Sequence, residues 1–192
     1  MKLKIVFIFF FPFFNAQISN NVKLLAKSLD TISYAESPHI DIDGRESKIY
    51  NYFKKLSKIA NNDELYFFAK HGSNSLRIYS SQELFKRNDK RFLTIYRIYS
   101  KNPLLITYQS GCVKSKKNIT QLLTDEVSAT EEILTMRDEL ARKNKGNKLE
   151  NFMKKTLIDL EENYKNLTRK DLRFYKIEME KIDQQNSMGK LP

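Results

Sequence analysis

Apolar residues recur three and four positions apart along most of this 192-residue chain, and that spacing constrains its fold more than any other feature. Over residues 45–59, Ile49, Phe53, Leu56 and Ile59 fall on one face of a helix, with Lys48, Lys54, Lys55 and Lys58 covering the others. Asn61-Asn62-Asp63-Glu64 then forms a capping-box pattern in which Asn takes the usual place of Ser or Thr. The short helix behind it stops at His71-Gly72, where a glycine supplies a left-handed terminal residue. Ser73-Asn74 caps the next helix, which turns Leu76, Tyr79 and Leu84 inward. Asn88-Asp89 opens another, with Phe92, Ile95, Tyr96 and Tyr99 on its buried side. Asn102-Pro103 ends it, because proline disfavours helix in the residue before it.

The segment LLITYQSGCV breaks the pattern; its β-branched residues and loose alternation permit a strand or buried irregular structure. Helical spacing resumes at ITQLLTDEV. Ser128-Ala129-Thr130-Glu131 reads as a second capping box in front of EEILTMRDELARK. A helix with Leu149, Met153, Leu157, Leu160 and Tyr164 follows, then one with Leu172, Tyr175, Met179 and Ile182, started by Thr168-Arg169-Lys170-Asp171. Five glycines argue against a β fold with many turns. The expected fold is therefore all-α: a compact stack of seven or eight short antiparallel helices, with one short extended segment near residues 104–109.

The N-terminus carries a different message. Met1-Lys2-Leu3-Lys4 is a basic head, residues 5–14 are apolar apart from Pro12, and Ala16 precedes a polar sequence. This is the pattern of a cleaved signal peptide over residues 1–16, too short for a membrane span of ~20 apolar residues. Residues 17–183 remain as a single helical domain, with residues 184–192 as a disordered tail. The expected location is periplasmic or extracellular, with no membrane span in the mature chain. Cys112 is the only cysteine, so no internal disulfide can form and packing must hold the domain together.

Residues 62–87, NDELYFFAKHGSNSLRIYSSQELFKR, resemble a HEAT-type helical repeat. A short helix, a tight polar turn and a second helix opening on Leu76-Arg77 carry the likeness, with Ser80 and Ser81 where small residues let helices approach. More widely, SYAESPHIDIDGRESKIYNYFKKL, this repeat and SGCV look like a group of uncharacterised exported proteins of Bacteroidetes-type bacteria. The resemblance implies a small HEAT-like domain and assigns no catalytic residue.

Motifs for chemistry are sparse. HIDIDGRE at residues 39–46 lacks the first acid and the closing glutamate of a calcium loop and reads as a polar turn at Gly44. His39, His71 and Cys112 show no metal-ligand spacing, and no phosphate loop, GxSxG elbow or HExxH pair is present. No cofactor and no metal site are expected, and Cys112 reads as a packed, apolar residue. The strongest hint is charge. Residues 44–117 hold sixteen Lys or Arg against five acids, a net of +11. Within them Arg87, Lys90, Arg91, Arg97 and Lys101 interleave with aromatics and form a candidate anion-binding surface. Export argues against nucleic acid and favours a protein or an anionic envelope component as partner. The leading expectation is an exported, non-enzymatic helical interaction module, HEAT-like in build. The alternative is a small exported enzyme acting through Cys112.

Overall fold

The apolar stripes become eight helices in a computed structural model that describes residues 18–145 and 150–188. The expected signal peptide lies outside the described residues. So do Leu149 and the end of the expected tail. Helix α1 (Asn20–Lys27) leads into strand β1 (Tyr34–Ile40), a polar turn and the short strand β2 (Arg45–Glu46). Four helices follow: α2 (Lys48–Ile59), α3 (Asn62–His71), α4 (Asn74–Lys86) and α5 (Arg91–Lys101). The hairpin β3 (Leu105–Gly111) and β4 (Val113–Asn118) precedes α6 (Ile119–Lys145), α7 (Asn151–Tyr164) and α8 (Arg169–Met188).

The domain is mainly helical but not all-α. Its strands form one mixed sheet in the order β2-β1-β3-β4. Strands β1 and β3 are parallel, so the chain needs a long crossover between them, and α2 to α5 supply it. The extended segment expected near 104–109 is thus an inner strand of a sheet, beside β1. Its partners escape the alternation rule: β4 is the polar sequence VKSKKN on an open edge, and β1 contains Pro38 beside a break in register. A two-residue turn, Gly111-Cys112, joins β3 to β4 with Gly111 at φ 54°, a left-handed conformation that favours glycine.

Helix caps follow the sequence at several ends. Asn61 and Glu64 close the capping box of α3, and the Ser73 hydroxyl accepts from the Leu76 amide of α4. Thr168 and Asp171 bond reciprocally at the start of α8. The Ser128 box is different. Helix α6 runs unbroken for 27 residues, and Thr130 turns its hydroxyl to the Glu126 carbonyl at 2.7 Å. One continuous buried stripe, Ile119, Leu122, Leu123, Val127, Thr130 and Leu134, outweighs the local capping preference. Helix α8 likewise continues to Met188, so residues 184–188 are helical where an unstructured tail was expected.

The core gathers around aromatic rings. Phe85 of α4, Phe92 of α5 and Tyr175 of α8 meet with ring centroids 5.2 to 5.5 Å apart and are almost fully buried. Burying each such side chain contributes about 1.5–3 kcal/mol, so this trio pins α8 onto the crossover helices. A smaller cluster of Leu140, Leu157, Ala141 and Leu160 holds α7 against the far part of α6.

Gly72 has a different role from the one its position suggests. Its φ of −71° is not left-handed, and α3 ends here in extended backbone. A Cβ would lie 2.7 Å from the Leu76 Cβ and 2.8 Å from the Phe68 carbonyl oxygen. Glycine is needed because α3 and α4 close together across a two-residue joint. Gly72→Ala is expected to destabilise the fold by about 1–3 kcal/mol, read as a fall in the urea midpoint. An unchanged midpoint would show that the joint is not tightly packed.

Candidate functional site

The five basic residues of the expected surface do not form an open face. Arg87 ends α4 and turns inward: it pairs with Glu83 at 2.8 Å and donates to the carbonyls of Ala60 and Ser57 and to Asn62. It thereby ties α4 to the C-terminus of α2. Lys90 lies 4.4 Å from the centroid of Tyr175 and 4.5 Å from that of Phe174, with Asp171 3.7 Å away. Arg91 pairs with Asp89 at 2.6 Å and with Asp63, and lies over the Tyr66 ring. Hydrogen bonding to Asp89 leads the causes that raise the pKa of its guanidinium. Of these five, Arg97 and Lys101 alone are exposed and without an ion pair to any described residue.

A different place collects polar chemistry. Strand β1, helices α2, α4, α6 and α7 and strand β3 surround a cleft of about 420 Å³. At its floor Lys86 of α4 meets Glu126 of α6 at 3.2 Å, with side chains only 14% and 17% exposed. Gln82 donates to the other Glu126 oxygen at 3.1 Å, and the Tyr164 hydroxyl donates to the first at 3.1 Å. The Lys86 ammonium lies 5.3 Å from the Tyr164 ring centroid. Tyr50 and Tyr108 line the walls, and among the described residues neither hydroxyl has a hydrogen-bond partner. Tyr79 closes the back of the cleft, giving and taking a 2.7 Å hydrogen bond with the backbone of Glu36.

A second cleft of about 400 Å³ adjoins the first and shares Lys54, Lys86 and Asn163 with it. Lys54 and Lys58 reach it from α2, and Lys165 from the end of α7. None of these three has an ion-pair or side-chain hydrogen-bond partner among the described residues. Its carboxylates are Glu83, held by Arg87, and Glu162. In the sequence Lys54 and Lys58 were visible as one helix face, four residues apart. Nothing local indicated that α7 would bring Lys165 opposite them.

Cys112 is exposed at the tip of the β3–β4 hairpin, not packed as expected. It faces a shallow hollow with Asp41, Ile42, Asp43 and Arg45. The expected polar turn is there: Asp41 and Gly44 take positive φ, and Arg45 pairs with Asp41 at 2.6 Å. His39 bonds the Gly44 carbonyl through Nδ1, His71 lies against Phe67, and no hydrogen bond links either to Cys112 among the described residues. No group of three metal-ligating side chains occurs among the described residues, and no helix there is long and apolar enough to cross a membrane.

Burial sets the titration of the cleft. It pushes the Tyr108 hydroxyl from 10.0 up to about 12, with Glu126 adding to the effect. Tyr79 and Tyr164 move the same way, again chiefly through burial. For Lys86 burial opposes the charge, but Glu126 leads the interactions that outweigh it, and its pKa is raised well above 10.5. The folded protein thus holds these protons more tightly than the unfolded chain. Stability from them is complete below about pH 10 and is lost as pH climbs through the folded values. The urea midpoint is expected to fall between pH 10 and 12, and less steeply in Tyr108→Phe; identical slopes would refute the assignment. No protein-family model, no curated protein and no solved structure matches the chain.

Proposed function

We propose that the protein is an exported, non-enzymatic helical interaction module that binds an anionic component of its surroundings in the paired clefts. One observation carries the reading: Lys54, Lys58 and Lys165 converge on one concavity, beside Lys86, without partners of their own among the described residues. Surface cations are normally solvated or paired, and several unpaired ones around a cleft focus the field there. Lys86 fits the same role. Held charged at the floor, it is an electrostatic anchor rather than a nucleophilic amine, which would require a lowered pKa.

A HEAT-like build is part of the proposal. Helices α3 and α4 are joined by Gly72-Ser73 alone, and Arg77 donates to the Gly72 carbonyl at 2.7 Å, closing the end of α3. Ser80 and Ser81 are fully buried, as a close helix pair requires. The partner is a protein or an envelope polymer with anionic groups. Export rests on the basic-then-apolar start of the sequence.

Replacing Lys54, Lys58 and Lys165 with Gln is expected to weaken retention on an anionic polymer about tenfold at low salt and to flatten its salt dependence. The matched control, Lys48, Arg97 and Lys101 to Gln, removes equal charge outside the clefts and is expected to change retention much less. Equal loss in both sets would reduce the attraction to net charge and remove the clefts as the site.

A further inference from the structure

The two clefts differ in chemistry, and the difference specifies a ligand. The outer one offers unpaired ammonium groups. The inner one alternates donors and acceptors: the unpartnered phenols of Tyr50 and Tyr108, the amides of Gln82 and Asn163, and the carboxylates of Glu126 and Asp159. A second dense anion would be repelled by those carboxylates. Hydroxyl groups suit them, because each can donate to a carboxylate and accept from a phenol or an ammonium. Purely apolar ligands are poorly served, since they would leave these polar groups dehydrated. The inner cleft, about 420 Å³, falls within the size range of small-ligand sites.

Resting on the anion-binding reading above, we infer that the ligand is an acidic carbohydrate. A hydroxyl-rich ring occupies the inner cleft against Tyr50 and Tyr108. Its carboxylate or phosphate points across the shared wall of Lys54 and Lys86 toward Lys58 and Lys165. Tyr50 stands edge-on to Tyr79, with centroids 5.6 Å apart, so its ring is held while its hydroxyl stays free.

Titration calorimetry of the purified protein at fixed ionic strength tests this with four probes: an oligogalacturonate, its methyl-esterified neutral form, a hexose phosphate and inorganic polyphosphate. The expected result is that the oligogalacturonate or the hexose phosphate binds at least about tenfold more tightly than either the neutral form or polyphosphate. Whichever of the two binds identifies a carboxylate or a phosphate as the acidic group. The double variant Tyr50→Phe, Tyr108→Phe keeps both rings and loses two unpartnered hydroxyls, so the thermal midpoint should hold. It is expected to lose about tenfold in sugar affinity and nothing in polyphosphate affinity. The lysine triple variant should weaken every anionic probe. Polyphosphate bound as tightly as the acidic sugars, with no effect of the tyrosine variant, would overturn the carbohydrate inference and leave the anion site standing. Failure of every anionic probe to bind in a lysine-dependent way would overturn both.

Discussion

The hydroxyl of Tyr79 holds the two halves of this fold together. It accepts the Glu36 amide hydrogen and donates to the Glu36 carbonyl, each at 2.7 Å, so one phenol satisfies both backbone groups of a residue in β1. The strand would otherwise have a donor and an acceptor buried without partners, at a cost of about 1–3 kcal/mol each. Ser47 continues the seam: it donates to the Glu36 carboxylate at 2.6 Å and accepts from Tyr50 to cap α2. The start of the crossover and its third helix are thus fastened to the same residue of the sheet. The parallel pairing of β1 with β3 depends on that fastening, because a parallel pair has no tight turn of its own.

The same seam borders the cleft. Tyr79 and Tyr50 meet edge-on, with centroids 5.6 Å apart, and line it together with Glu126 of α6 and Tyr164 of α7. Into that cleft the fold places Lys86 and Glu126. A buried ion pair gives little net stability, because losing hydration offsets most of the Coulombic attraction. Two hydrophobic residues would hold α4 to α6 at least as well. An ion pair kept at the floor of a polar cleft, with Gln82 and Tyr164 also bonded to its carboxylate, is therefore better understood as part of a site than as a structural clamp.

Much of the helical layer was legible in the sequence, since a stripe with 3.6-residue periodicity survives in any order of packing. Phe53, Leu56, Tyr79, Phe92 and Tyr175 are buried where local spacing puts them. The sheet was not legible. Strand β4 has no apolar alternation to report, because its outer side meets solvent, and β1 pairs with a strand some seventy residues away through backbone bonds that leave no pattern. The false break at Ser128 shows the reverse error: a good local cap was overridden by a buried stripe that only tertiary contact reveals. The site was half visible. Lys54 and Lys58 mark a cationic face, but their meaning depends on α7 folding back across α4, which no window of sequence contains.

Charge that is dense in sequence need not be dense in space. Of the basic residues between 44 and 117, Arg45, Lys86, Arg87, Lys90, Arg91 and Lys117 are in ion pairs with acids. Asp63, Asp89 and Asp171, which come from three different parts of the chain, neutralise most of the run from Arg87 to Arg91. Apart from Lys86–Glu126, these pairs lie at or near the surface, where solvent screening leaves each of them little net stability. Their larger effect is on the field. By cancelling the charge along the α4–α5 joint, they leave the excess elsewhere, and its Lys54 and Lys58, joined by Lys165 from beyond the stretch, lie around a concave surface. Low-dielectric walls on either side concentrate field lines in such a cleft, so the remaining cations act on an approaching anion together. The basic stretch thus supplies the net charge, and the folding of acids onto part of it decides where that charge is felt.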